Sequence, residues 1–198
     1  MKNITSVLLI IMLFVSCTAT KKTVNEQKAI DSIKLDFTNY LSLIENKDFE
    51  TAVEYMLPDF FELVPKEQIV KAMVETFNNP KMAFEIYDSE ILTVSDIEKV
   101  EEKFYSKLRY SSFMTIKVIR DYEPTEESKN LTKGLFETTF GADNVSYDGK
   151  KDKFVVYAEK DVVAISENGA TLWKFLVIEE EQRSILKNFI PKEILDSI

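Results

Sequence analysis

Phe104-Tyr105-Ser106-Lys107-Leu108-Arg109-Tyr110-Ser111-Ser112-Phe113-Met114-Thr115-Ile116-Lys117-Val118-Ile119-Arg120 is the stretch on which the fold class turns. Leu108, Tyr110, Ser112, Met114, Ile116 and Val118 share one parity, and Lys107, Arg109, Ser111, Thr115 and Lys117 share the other. A period of two is that of a β-strand with one face turned to a core and the other to water. At about 3.3 Å per residue so long a strand does not stay flat, and strong twist or a bulge is expected.

Upstream, Phe84, Ile86, Leu92 and Val94 have a strand's parity, with a bulge or bend expected at Asp88-Ser89. Further back the period becomes helical. Ile30, Ile33, Phe37, Tyr40, Leu41 and Ile44 recur at three- and four-residue steps over 26–46 and fall within a stripe about 100° wide. Asn46-Lys47-Asp48 interrupts that helix, and Asp48 can cap a second one bearing Phe49, Ala52, Val53 and Met56, which Pro58 ends. Pro65 opens a third helix marked by Ile69, Met73 and Phe77 and stopped by Asn78-Asn79-Pro80.

Downstream, residues 125–140 are helical again, with Leu131, Leu135 and Phe140 on one side and Gly141 as the stop. Asp148-Gly149 is a hairpin signal between Val145-Ser146-Tyr147 and Phe154-Val155-Val156. Residues 154–158, 162–166 and 171–178 read as a meander turning at Glu159-Lys160 and at Glu167-Asn168-Gly169. Pro191-Lys192-Glu193-Ile194-Leu195 reads as a last helical turn. No repeat, low-complexity run or compositional break divides the chain, so residues 26–198 are expected to form one α+β domain, three helices first and strands after.

This order resembles the nuclear transport factor 2-like superfamily, which includes ketosteroid isomerase. The resemblance covers residues 26–178 and rests on three features: the helix pair joined through Glu45-Asn46-Lys47-Asp48-Phe49, the Pro-led third helix, and the late strand Leu172-Trp173-Lys174-Phe175-Leu176. It implies three N-terminal helices packed on a strongly curved antiparallel sheet, a cone, with the 125–140 helix as an insertion among the strands. A cystatin-like sheet on one helix is the rival, and three helices before the first strand count against it. The resemblance also implies a ligand held between helices and sheet, and in the isomerase a tyrosine and a carboxylate share that space for proton abstraction. Tyr40, Tyr55, Asp59, Tyr110 and Tyr157 are the candidates for such a pair, although a tyrosine on an apolar stripe ordinarily serves packing. The ligand-contact candidates are Tyr40, Tyr55, Phe60, Tyr110 and Trp173.

The N-terminus speaks to location. Lys2 precedes the apolar run Val7-Leu8-Leu9-Ile10-Ile11-Met12-Leu13-Phe14-Val15, closed by Ser16-Cys17. That order is a secretory signal, and the run is far short of the roughly twenty residues that span a bilayer. Leu13-Phe14-Val15-Ser16-Cys17 resembles the lipobox of bacterial lipoproteins, with Phe14 where the family usually has Leu. The resemblance implies a signal peptide over 1–16, diacylglyceryl attachment at Cys17, a tether over 17–25 and a membrane partner reached through lipid. More than one acyl chain is needed for stable anchoring. Lys21 and Lys22 stand where surface-exported lipoproteins carry acidic residues, so a periplasm-facing place in the bacterial cell envelope is expected.

Composition excludes several functions. The chain carries a net charge of −9, and loss of residues 1–16 removes Lys2 and no acid, making it −10. With no dense basic patch, nucleic-acid binding is not expected. A single cysteine forbids an internal disulfide, and the absence of histidine excludes a Ser-His-Asp triad and histidine metal ligands. Asp143, Asn144, Asp148 and Asp152 lack calcium-loop spacing and read as a solvated hairpin. No metal and no cofactor is expected. The leading expectation is a non-catalytic, lipid-anchored module binding a small apolar molecule or a protein, with a homodimer through the outer sheet face near Phe113 and Ile119 as one form of the latter. The alternative is an isomerase- or hydrolase-like enzyme using an inward Tyr–carboxylate pair.

Overall fold

The structure is a computed structural model that describes residues 24–198. The expectations placed on the signal over 1–16, on Cys17 and on nearly all of the tether lie outside the described residues.

Helix α1 (Val24–Glu45) buries Ala29, Ile30, Ile33, Phe37, Tyr40 and Leu41, the stripe its periodicity marks. It ends where Lys47 takes φ 62°, so that the Lys47 N–H reaches the Ile44 carbonyl at 3.0 Å and the Asp48 N–H reaches that of Leu43 at 2.9 Å. These bonds satisfy carbonyls that a helix end otherwise leaves open. Asp48 then accepts from the Thr51 N–H at 3.2 Å and caps α2 (Phe49–Ala52). The second expected helix is therefore one α-turn, continued as 3-10 turns over Val53–Tyr55 and Pro58–Glu62. Helix α3 (Lys66–Phe77) follows Pro65 and holds Phe77 between Phe49 and Phe84, with ring centroids 5.0 and 6.5 Å away.

The remainder is a six-stranded antiparallel sheet, open at its edges: β1 (Met82–Val94), β2 (Glu98–Val100), β3 (Lys103–Val118), β4 (Val145–Asp148), β5 (Lys153–Ser166) and β6 (Lys174–Val177). The path is β1-β3-β5-β4, with β2 paired to β3 and β6 to β5. Helix α4 (Glu126–Phe140) stands between β3 and β4, capped by Thr125 and stopped by Gly141 at φ 91°. Short helices α5 (Arg183–Leu186) and α6 (Lys192–Leu195) close the described chain. The α+β class stands as read.

The even-numbered residues of β3 and β5 face α1 at one end of the sheet, where Leu108, Val162 and Ala164 pack with Ile33, Phe37, Trp173 and Phe175. At the other end the same face carries Ile116, Phe154 and Val156 against Phe136 and Phe140 of α4. Each large side chain buried in this way contributes about 1.5–3 kcal/mol.

Five readings need correction. The odd-numbered face of β3 is not all solvated: Tyr105 is buried with Val163, Ile165 and Leu176 beneath Leu186, Ile190 and Ile194 of the C-terminal segment. No turn forms at Glu159-Lys160, because Lys160 pairs with Glu179 at 2.6 Å and Asp161 with Arg109 at 2.8 Å, letting charged residues sit within one continuous β5. In β1 the register shift between Tyr87 and Glu90, with Asp88 at φ 51°, moves parity by one, so Ile91 packs on the core while Leu92 is exposed. In α4, Phe136 and Phe140 make the packed face, whereas Leu131 and Leu135 are exposed. The last strand starts only at Lys174, after Leu172 at φ 58°.

Candidate functional site

Four of the five ligand-contact candidates meet around Phe37. Its ring lies 5.6 Å from Tyr40, 5.2 Å from Tyr110 and 4.9 Å from Phe175, and Tyr40 lies 6.4 Å from Tyr55. Trp173 packs in the same cluster, its backbone N–H donating to Asp36 Oδ2 at 3.3 Å while its indole Nε1 is buried without a partner. Phe60 lies elsewhere, 5.7 Å from Phe189 in the cluster under the C-terminal segment. Asp59 pairs with Lys103 at 3.0 Å, and among the described residues neither inward tyrosine is its hydrogen-bond partner.

Burial sets the chemistry of the two inward phenols. It pushes Tyr40 up to about 12. It pushes Tyr110 up as well, with smaller contributions from Tyr40 and Glu179. Both therefore stay protonated through neutral pH and can donate a hydrogen bond but not take a proton. Among the described residues neither is hydrogen-bonded to a carboxylate.

Tyrosine–carboxylate bonds occur at two other places. Tyr157 donates to Glu159 at 2.8 Å on the odd-numbered face. Tyr147 donates to Asp152 at 2.6 Å, and Arg120 Nη2 reaches the same carboxylate oxygen at 2.8 Å. The Tyr147 bond, then the Arg120 charge, hold the Asp152 carboxyl below the usual carboxylate range despite some burial, and the same bond raises the Tyr147 phenol. Arg120 Nε is buried without a partner. Sequence reasoning missed this trio by treating Asp152 as part of a solvated hairpin. No local pattern marks it, since Arg120 and Asp152 (φ 49°) both lie outside the strands and meet across thirty-two residues of chain. The trio ties the β4–β5 hairpin to the segment that follows β3.

Concave surface lies at the margins of the packed clusters, away from Phe37 itself. A cavity of about 620 Å³ opens between the first turns of α1 (Lys28, Ala29), Ile97 and Lys99 around β2, Phe104, and the β5–β6 loop at Ala170. One of about 390 Å³ follows Tyr157–Lys160 beside Phe140, and one of about 500 Å³ lies between Tyr105 and Phe189. Tyr40, Tyr55, Phe60, Tyr110 and Trp173 line none of these cavities. Among the described residues no three acidic, histidine or cysteine side chains are grouped to hold a metal ion, and no helix is long and apolar enough to cross a membrane. Set beside known proteins, the chain matches no family model and no curated protein.

Proposed function

We propose that this protein is a lipid-anchored component of a bacterial cell envelope, facing the periplasm, whose α+β domain is a binding module without catalytic activity. The observation that carries the non-catalytic reading is that the inward phenols meet rings: Tyr40 and Tyr110 both close on Phe37. An acid–base enzyme of the isomerase kind needs a carboxylate there, and the carboxylates bonded to tyrosine are those of Asp152 and Glu159, in other places. The apolar leader and Cys17 support the anchor. A cone in the manner of the nuclear transport factor 2-like superfamily belongs to the same proposal, supported by α1 lying across the face of β3 and β5 and by the bulge at Asp88. The aromatic row Tyr87–Phe113–Tyr157 on the odd-numbered face, with centroids 5.8 and 5.3 Å apart, supports a protein partner or second copy docking there.

Intact mass spectrometry of the membrane-extracted protein, with mass spectrometry of molecules released on its denaturation, tests the proposal. The expected result is an acylated Cys17 as the first residue and a small apolar molecule or a protein recovered in stoichiometric amount. A bare Cys17 thiol, or the leader retained on a soluble product, overturns the anchor. Turnover of a carbonyl substrate that is lost in Tyr40→Phe overturns the non-catalytic reading.

A further inference from the structure

The charge lining the groove of about 620 Å³ runs against the net charge of this acidic chain. Among its lining residues stand two lysines, Lys28 and Lys99, against one glutamate, Glu26. Its wall is apolar, made by Ile97, Phe104 and Ala170 with buried Ala29 beneath. The volume lies inside the range of about 300–1,000 Å³ typical of small-ligand sites.

The wall is also fixed in place. Asn168 Oδ1 accepts from the Ala170 and Thr171 N–H groups at 2.9 Å each, and Ser166 Oγ donates to the Thr171 carbonyl at 2.8 Å while accepting from the Gly169 N–H at 3.2 Å. Gly169 has φ +67°, and a Cβ there would meet the Phe104 ring at 2.6 Å, so the loop backbone lies directly on that ring. Lys99 Nζ stands 5.5 Å from the centroid of the same ring. A cation beside an immobile apolar wall needs no rearrangement to take a ligand having both characters.

We infer that this groove holds an anionic amphiphile, its acyl chain against Ile97, Phe104 and Ala170 and its acidic head between Lys28 and Lys99. The inference rests on the anchored reading above and gives its ligand a chemical class and a place. Asn25 at the groove's rim is eight residues past Cys17, a reach of at most about 28 Å when extended. A lipid attached at that cysteine would therefore hold the groove within a tether's length of a bilayer, where phospholipids and free fatty acids both supply this chemistry.

The full lipid-bearing chain is reconstituted into phosphatidylcholine vesicles containing a phosphatidylglycerol with a photoreactive acyl chain or, in a second arm, a photoreactive fatty acid. Irradiation is followed by peptide mapping. Label is expected on peptides spanning 97–104 and 168–171, and the arm that gives it names the source. Ala170→Trp, at an exposed loop position that fills the groove, should lower that label at least tenfold with an unchanged melting curve. The double variant Lys28→Glu with Lys99→Glu should lower label from the anionic probe at least fivefold, and leave that from a neutral photoreactive diacylglycerol unchanged. Equal labelling of all variants, or cross-links from the groove to residues 17–23 in place of the probe, overturns the inference. An acylated Cys17 with an unlabelled groove rejects the groove alone. A bare Cys17 with the groove still labelled by fatty acid rejects the anchor alone.

Discussion

Tyr40 and Tyr110 illustrate how much one side chain's surroundings decide. Each stands on an apolar stripe visible in the sequence, and each has its phenol raised by burial, Tyr40 to about 12. In the unfolded chain a phenol ionises near pH 10, so between about pH 10 and 12 the unfolded state holds fewer protons than the folded one. Folding stability is therefore undiminished by these groups below pH 10 and falls as pH rises toward 12, with a slope approaching about 1.4 kcal/mol per pH unit for each buried phenol. Urea melts at pH 9, 10, 11 and 12 should show that loss, and Tyr40→Phe should flatten it. A slope unchanged by the substitution would mean that Tyr40 is not the sealed phenol described here. The inward direction of both tyrosines was legible from spacing alone. The Tyr147–Asp152–Arg120 trio was not, because it joins a hairpin to a strand end thirty-two residues away, and nothing local brings Arg120 to Asp152.

Elements with clear periodicity and a single packed face were readable. Helix α1 has six apolar positions on one stripe, and its boundary at Lys47 is set by local backbone bonds. Helix α4 misled, because two leucines look like a core face. What decides is which side meets the sheet: Phe136 lies 5.1 Å from Phe154, while Leu131 and Leu135 are 70% and 64% exposed. Changing both leucines to lysine should move the unfolding free energy by less than about 0.5 kcal/mol each, whereas Phe136→Ala should cost about 2 kcal/mol or more. Chemical denaturation of the variants separates the two faces, and a large penalty at the leucines would reverse the assignment. Strand β5 misled in the opposite sense. Glu159-Lys160-Asp161 has the composition of a turn, yet Arg109 and Glu179 supply opposite charges from neighbouring segments, and β5 runs on through them.

At the scale of the molecule, the sheet packs on both faces over part of its area. Tyr105, Val163, Ile165 and Leu176 lie on the face that alternation assigned to water, and the segment carrying α5 and α6 covers them. Deleting residues 180–198 should expose this patch, giving strong binding of an apolar dye and loss of a single cooperative unfolding transition. A shortened chain that unfolds sharply at the parent's midpoint would show that the cover contributes little. By itself the sequence determined the α+β class, the helix-then-strand order and the absence of histidine chemistry, because period, capping residues and composition are local or additive properties. Tertiary structure alone decided which apolar residues face a partner, that α5 and α6 roof one end of the sheet, and that Lys28, Lys99 and Phe104 share a groove. Those outcomes depend on contacts between segments far apart in the chain, whose energies no window of neighbouring residues contains.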